Sequence, residues 1–315
     1  MAIMLDFPHD LLVYIAKKVD LFKDIVALGG ACKAWLSAAM KENFSRRPQI
    51  PRLMLAQKED GDNRGFYSLS KGMIRTVTLP EANEKQCKCL ASEGWLITKR
   101  KDLTMNLLHP LSRVQIRLPP MSTLEEHEDF TYTCSIWKLS ATWHRQCLDN
   151  DRDEASIYLD PIYFNGHFYA VDAHGRIFLC DVEGANPTVA KIRPVDDGRP
   201  VDEDNCNYTY GTTSFQVFEV DLSKNGRTEV KNLGHRALFL GHSSSFSIEA
   251  SHECIKADCI YFVDDCEEAY CFGDDSVGGG KDMRIYNLQD RSFTPHFKDE
   301  SYSRISPPMW VAPSF

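Results

Sequence analysis

The chain has 315 residues and a formal net charge of -9, with 43% hydrophobic, 11% aromatic and 26% charged residues. That length provides one large domain or two with ample core, and the composition excludes a disordered chain. The acidic balance argues against non-specific nucleic-acid binding, which needs a basic face, and no apolar run approaches the ~18 residues needed to cross a bilayer. Asp6, His9 and Asp10 interrupt the first apolar stretch, so no signal peptide is expected. The eleven cysteines are scattered with no C-x-x-C, which points to a reducing compartment, cytoplasmic and/or nuclear, with free and mostly buried thiols.

The first forty or so residues carry the only strong helical periodicity. Pro8 suits a first helical turn, where its missing N–H costs nothing. Leu11, Leu12, Ile15 and Val19 recur at helical spacing. A second short helix is expected from about Phe22, carrying Ile25 and Leu28 and ended by Gly29-Gly30. A third is expected from about Ala31 to Asn43, with Cys32, Trp35, Leu36 and Ala39 on one stripe. Three helices of this size make a small core that completes itself against a partner or a neighbouring domain. On periodicity alone the segment reads equally well as a helical cap on a β-domain.

The ordered set Pro8, Leu11-Leu12, Ile15, Leu21, Leu28 and the closing Cys32-Lys33-x-Trp35 resembles an F-box. The resemblance covers roughly residues 5–40 and implies docking on the Skp-type adaptor subunit of a cullin-based ubiquitin ligase. It assigns partner-binding positions to Pro8, Leu11, Leu12, Ile15, Leu28, Cys32 and Trp35. Gly29-Gly30 and Ala31 depart from the larger residues that the family prefers before the cysteine.

After Pro48 and Pro51 the helical period vanishes, and short alternating or aromatic-rich runs take over, bounded by Gly, Asn, Asp and Pro. Among them are GFYSL, MIRTVTL, GWLITK, VQIRL, HFYAV, RIFLC, FQVFEV, RALFLG, CIYFV and MRIYNL. Many short strands suggest a sandwich, barrel or propeller. At roughly 40–45 residues per four-stranded blade the segment would make about six blades.

These stretches also resemble, in order, the C-terminal domain of a large plant family of F-box proteins, catalogued as propeller-like or kelch-like. The matching runs include Gly94–Pro120, Phe164–Val171, Leu233–Gly241, Ile260–Asp264 and Ser306–Trp310. The expected fold is therefore a small all-α three-helix F-box head followed by an all-β, β-propeller-like domain, one blade of which can be incomplete. The expected divisions are 1–47 for the F-box, 48–64 for a linker and the start of the β-domain, and 65–315 for a substrate-recognition propeller. Two segments depart from the family: the chain is short between Pro120 and Ile162, and acidic and strand-poor between Val195 and Ser214.

No motif for chemistry stands out. The loop Gly273–Met283 lacks the first Gly of a phosphate-binding loop and has Asp282 where Ser/Thr is needed, so it reads as a flexible, acidic surface loop. Cys254, Cys259, Cys266 and Cys271, with His252 nearby, are spaced too loosely for a tetrahedral zinc site. Asp202-Glu203-Asp204 and Asp264-Asp265 read as solvated turns, and Trp137, Trp143, Tyr208 and Tyr210 are candidates for a propeller's exposed face. No catalytic, cofactor-binding or metal-binding residue is assigned. The expected partners are the Skp-type adaptor, through it a cullin, and a target protein, without nucleic acid or membrane. The alternatives are a propeller enzyme or small-ligand binder, and a ligase-independent F-box-like protein.

Overall fold

The computed structural model describes residues 8–18, 32–38, 50–57, 61–83, 87–119 apart from 93 and 111, 158–164, 167–172, 177–181, 191–196, 212–221, 226–263 apart from 242 and 244, 280, 282–301, 303 and 306–312. The three-helix head is not what it shows. Among the described residues there are two short α-helices, α1 (His9–Lys18) and α2 (Lys33–Ala38). The helix expected over Phe22–Leu28 falls outside the described residues. The last helix begins after Cys32 and is described over Lys33–Ala38; the rest of the expected stretch, to Asn43, falls outside the described residues. Helices of ten and six residues are below the length that propensity can sustain in water, so their packing must hold them.

The remainder is β-structure, in five sheets among the described residues. The strands are β1 (Arg52–Met54), β2 (Asn63–Ser68), β3 (Met73–Thr78), β4 (Cys87–Ser92), β5 (Trp95–Arg100), β6 (Met105–Leu108), β7 (Gln115–Leu118), β8 (Tyr158–Phe164), β9 (His167–Asp172), β10 (Ile177–Asp181) and β11 (Lys191–Asp196). They continue with β12 (Phe218–Asp221), β13 (Gly226–Glu229), β14 (Arg236–Leu240), β15 (Phe246–Glu249), β16 (Cys259–Val263), β17 (Met283–Asn287), β18 (Phe293–Pro295) and β19 (Met309–Val311). β4–β7 and β8–β11 are four-stranded antiparallel meanders, and β12–β13 is a hairpin. β19 crosses the whole chain to pair with β1, giving the order β19-β1-β2-β3 with Leu53 opposite Trp310. The last strand thus completes the first sheet.

Period-two alternation along these two short strands explains how that sheet binds both neighbours. Leu53 and Trp310 enter a core with Ala237, Phe239, Tyr261 and Val263 of the sheet ordered β15-β14-β16-β17-β18. Met54, Met309 and Val311 enter a second core with Cys87, Cys89, Ala91, Leu96 and Leu108 of the β4–β7 sheet. The run CIYFV has no polar position because β16 is buried on both faces: Tyr261 faces the first of these cores, while Ile260 and Phe262 face a third with Tyr286, Phe215 and Val217. β16 also runs parallel to β14, the one parallel pair among those described. Asp258 ties these strands together. It lies in the left-handed region (φ 59°), which Asp tolerates, and its carboxylate accepts from the Leu233 N–H and, at 2.7 Å, from Gln289 Nε2.

Serine hydroxyls cover open backbone positions at the seam. Among the described strands β4 pairs only with β5, so its other edge needs acceptors for the N–H groups that face away. Ser306 Oγ accepts from Cys89 N (3.2 Å) and Ser243 Oγ from Ala91 N (3.0 Å), while Ser301 Oγ accepts from Ala56 N (3.0 Å) just past β1. All three serines are buried. Gly280 (φ 100°) lies against the same seam, and a Cβ there would overlap the Ser301 carbonyl oxygen and the Pro308 ring. The loop expected to be a solvated acidic surface is therefore buried at its described end. Asp282 accepts from Thr212 N (2.7 Å) and pairs with Arg284 (2.5 Å), because an apolar neighbourhood favours a carboxylate only when it is paired.

Candidate docking site

α1 carries two faces. Its start is set by the Pro8 carbonyl, which accepts from Leu11 N (3.0 Å) and Leu12 N (3.2 Å). Leu12 and Ala16, one turn apart, are 2% and 1% exposed. Leu12 packs with Trp35 and Ala38, likewise one turn apart on α2, and Val13, Ile15 and Cys32 flank that contact half-buried. On the outward side Pro8 is exposed, and Leu11 and Tyr14 are 40% and 58% exposed.

The expected partner-binding positions therefore separate into two sets. Pro8 and Leu11 stand at the surface, and Tyr14, which the periodicity does not single out, joins Leu11 at i,i+3. Leu12 and Trp35 are buried in the contact between the helices, with Ile15 and Cys32 at its border. Among the described residues the Trp35 indole N–H meets no acceptor. Leu28 lies outside the described residues, as does Gly29-Gly30. The signal that separates the two sets is angular: Leu11 and Leu12 are adjacent, so on a helix they point about 100° apart and do not share one face.

In the β-domain the perturbed groups sit in structural contacts. His296 is buried, donates through Nε2–H to the Phe262 carbonyl (2.9 Å), and lies against Trp310 with ring centroids 4.9 Å apart. Burial holds its pKa down at about 4. Tyr261 is pushed up to about 12 by burial, its hydroxyl accepting from Lys256 N (2.9 Å) and donating to the Cys254 carbonyl (3.4 Å). Hydrogen bonds from Arg284 and Thr212 hold Asp282 below its ordinary value despite burial, which opposes them. Arg284 in turn lies over the Phe293 ring at 4.2 Å.

Burial pushes the thiols of Cys254 and Cys259 up, and the contact with Cys87 together with burial does the same for Cys89. A thiol so placed is a poor nucleophile. Cys254 is half-buried, Cys259 buried and His252 exposed, and among the described residues no group of three His, Cys, Asp or Glu could hold a metal ion. Cys266, Cys271, Asp202–Asp204, Asp264-Asp265, Trp137, Trp143, Tyr208 and Tyr210 lie outside the described residues.

Comparison with known proteins agrees with this architecture. The KIB1-4 β-propeller family matches residues 66–148 and 140–287, well over half of the chain. An Arabidopsis thaliana protein named for an F-box, At5g55150, is 20% identical over 371 residues, covering 98% of this chain and 96% of the relative. The F-box protein At2g17036 of the same plant is 23% identical over 390 residues, covering 98% and 94%. Both alignments are longer than this chain's 315 residues, so parts of the relatives have no counterpart here. None of these matches bears on the expected kelch-like affiliation. The chain therefore belongs to the KIB1-4 β-propeller family and is a relative of plant F-box proteins along nearly its whole length.

Proposed function

We propose that the chain is a non-catalytic substrate adaptor of a Skp–cullin–F-box ubiquitin ligase, working in the cytoplasm and/or nucleus. The helical segment within residues 1–47 docks on the Skp-type adaptor, residues 48–64 lead into the β-domain, and the propeller of residues 65–315 holds a target protein. The observation that carries this reading is the match along nearly the whole chain to F-box proteins, joined to a helical pair that leaves Leu11 and Tyr14 outside its own small core. Pro8 and Leu11 supply direct contact. Leu12, Ile15, Cys32 and Trp35 set the angle between the helices that the adaptor reads, and Leu28 completes the set named from the sequence. The mechanism is proximity: a tethered target meets the ubiquitin-charged enzyme at high effective concentration, so no residue of this chain needs to do chemistry. Interface energy concentrates in a few apolar anchors. Leu11→Asp in the full chain is expected to lose co-precipitation with a Skp-type adaptor, and retention of the adaptor by this variant would contradict the assignment.

A further inference from the structure

The chain's charge is unevenly placed. Between Cys87 and Leu118 stand six cations, Lys88, Lys99, Arg100, Lys101, Arg113 and Arg117, against the carboxylates of Glu93 and Asp102, in a protein whose net charge is -9. The strand register gathers five of them at one end of the β4–β7 sheet. Lys88 on β4 is directly opposite Lys99 on β5, Arg100 ends β5, Lys101 begins the β5–β6 turn, and Arg117 lies opposite Asn106 near the end of β7. Like charges directly across a ladder are destabilising. Lys88 and Lys99 have other partners as well, so the case rests on the charge of the end as a whole and not on any unengaged side chain. Lys88, Arg100, Lys101 and Arg117 are exposed.

A second observation concerns the turn that carries this end. Leu103 sits in the left-handed region (φ 66°), a conformation that is an outlier for a bulky residue and one that marks functional positions more often than chance. The turn around it is closed by Leu103 N to the Arg100 carbonyl and Arg100 N to the Thr104 carbonyl, both 3.0 Å. The one carboxylate at the tip, Asp102, is occupied within the turn, accepting from Thr104 N (3.0 Å) and Thr104 Oγ1 (2.7 Å). The tip is thus fixed, and its acid is engaged by its own backbone while the neighbouring cations face solvent.

We propose that the β5–β6 end of this sheet is the docking surface for an acidic segment of the target protein, a refinement that rests on the adaptor reading above. Four strands about 4.8 Å apart span roughly 15 Å, the length of about four or five extended residues. A short acidic peptide matches that span. A nucleic acid does not, because its charge runs on beyond the patch and meets the acidic remainder of the protein.

The test uses the full chain and two labelled probes of equal charge, octaglutamate and a thymidine oligonucleotide. Octaglutamate is expected to bind, more weakly as salt rises. The triple variant Arg100→Glu, Lys101→Glu, Arg117→Glu is expected to weaken it by at least about tenfold. The charge-conserving variant Arg100→Lys, Lys101→Arg, Arg117→Lys is expected to bind as the parent does, which separates lost charge from lost folding. Absent peptide binding, equal binding by the triple variant, or tighter binding of the oligonucleotide overturns the proposal. Co-precipitation with a Skp-type adaptor, run in parallel, is expected to be unchanged in the triple variant. Peptide binding by a parent chain that fails to capture the adaptor overturns the ligase reading and leaves this surface standing.

Discussion

The helical pair and the seam of the propeller use the same residue types to opposite ends. In the helical pair, among the described residues, Leu12, Trp35 and Ala38 cluster as the core, and apolar Leu11 and Tyr14 remain outside. At the seam, Trp310 by itself contacts Phe239 edge-on at 5.0 Å, Tyr261 at 6.4 Å and His296 at 4.9 Å, within a core of eleven buried residues. One tryptophan holds two helices that leave apolar side chains outside their contact. The other holds a closure that is finished within the chain. A small core with leftover apolar surface is the physical form of a docking element, and a large one fed by strands from the two ends of the β-domain is that of a scaffold.

That contrast can be broken most strongly at Trp310. Trp310→Ala removes the ring shared by β19 and its neighbours and should cost about 3–5 kcal/mol, read as a fall in the denaturation midpoint of the whole β-domain. Trp35→Ala is the matching change in the helices. It should remove helical signal and adaptor capture while leaving the main melting transition in place, and a large shift of that transition would show that the two regions are not separate in stability.

The next effect is on acid stability. The folded chain protonates His296 only near pH 4, whereas the unfolded chain does so near 6.5, so the folded state is fully favoured above pH 6.5. Stability should fall as pH drops from 6.5 towards 4, by about 3 kcal/mol at most. His296→Phe should flatten that part of the profile, and an unchanged acid slope would refute the assignment. Ser306→Ala leaves the Cys89 N–H without its acceptor in a buried site and should cost about 1–3 kcal/mol. Smallest is the surface pair of Arg113 and Glu81 at 2.5 Å: Arg113 is half exposed, so Arg113→Ala should change stability by less than about 1 kcal/mol.

Much of the β-domain is legible because its strands announce themselves locally. RALFL, CIYFV and MRIYN appear as β14, β16 and β17: each is a short run carrying apolar and aromatic residues, and CIYFV and MRIYN add β-branched ones. β1 and β19 are not legible as a pair. Each has three residues, too few to show a period, and their ladder joins the first and last of the described strands, which no local pattern can announce. β4, CKCLAS, escapes a reading by pattern because cysteine and alanine fill its buried face in place of the large residues that mark a strand. Motif order overstates the three-helix head. The described residues hold two helices, and the Leu11-Leu12 pair divides between surface and core where the motif treats it as one contact. The serine acceptors at the seam have no signal in the sequence at all, since Ser243, Ser301 and Ser306 look like any loop serine until the strand edge they cover is known.

The central claim, that the outward stripe of α1 is a docking face and not leftover surface, is tested most directly by capture of a purified Skp-type adaptor by the full chain. The parent should bind and Leu11→Asp should lose binding, with the melting transition of the β-domain unchanged in both. Equal capture by the parent and the variant, or no capture by the parent, would contradict it.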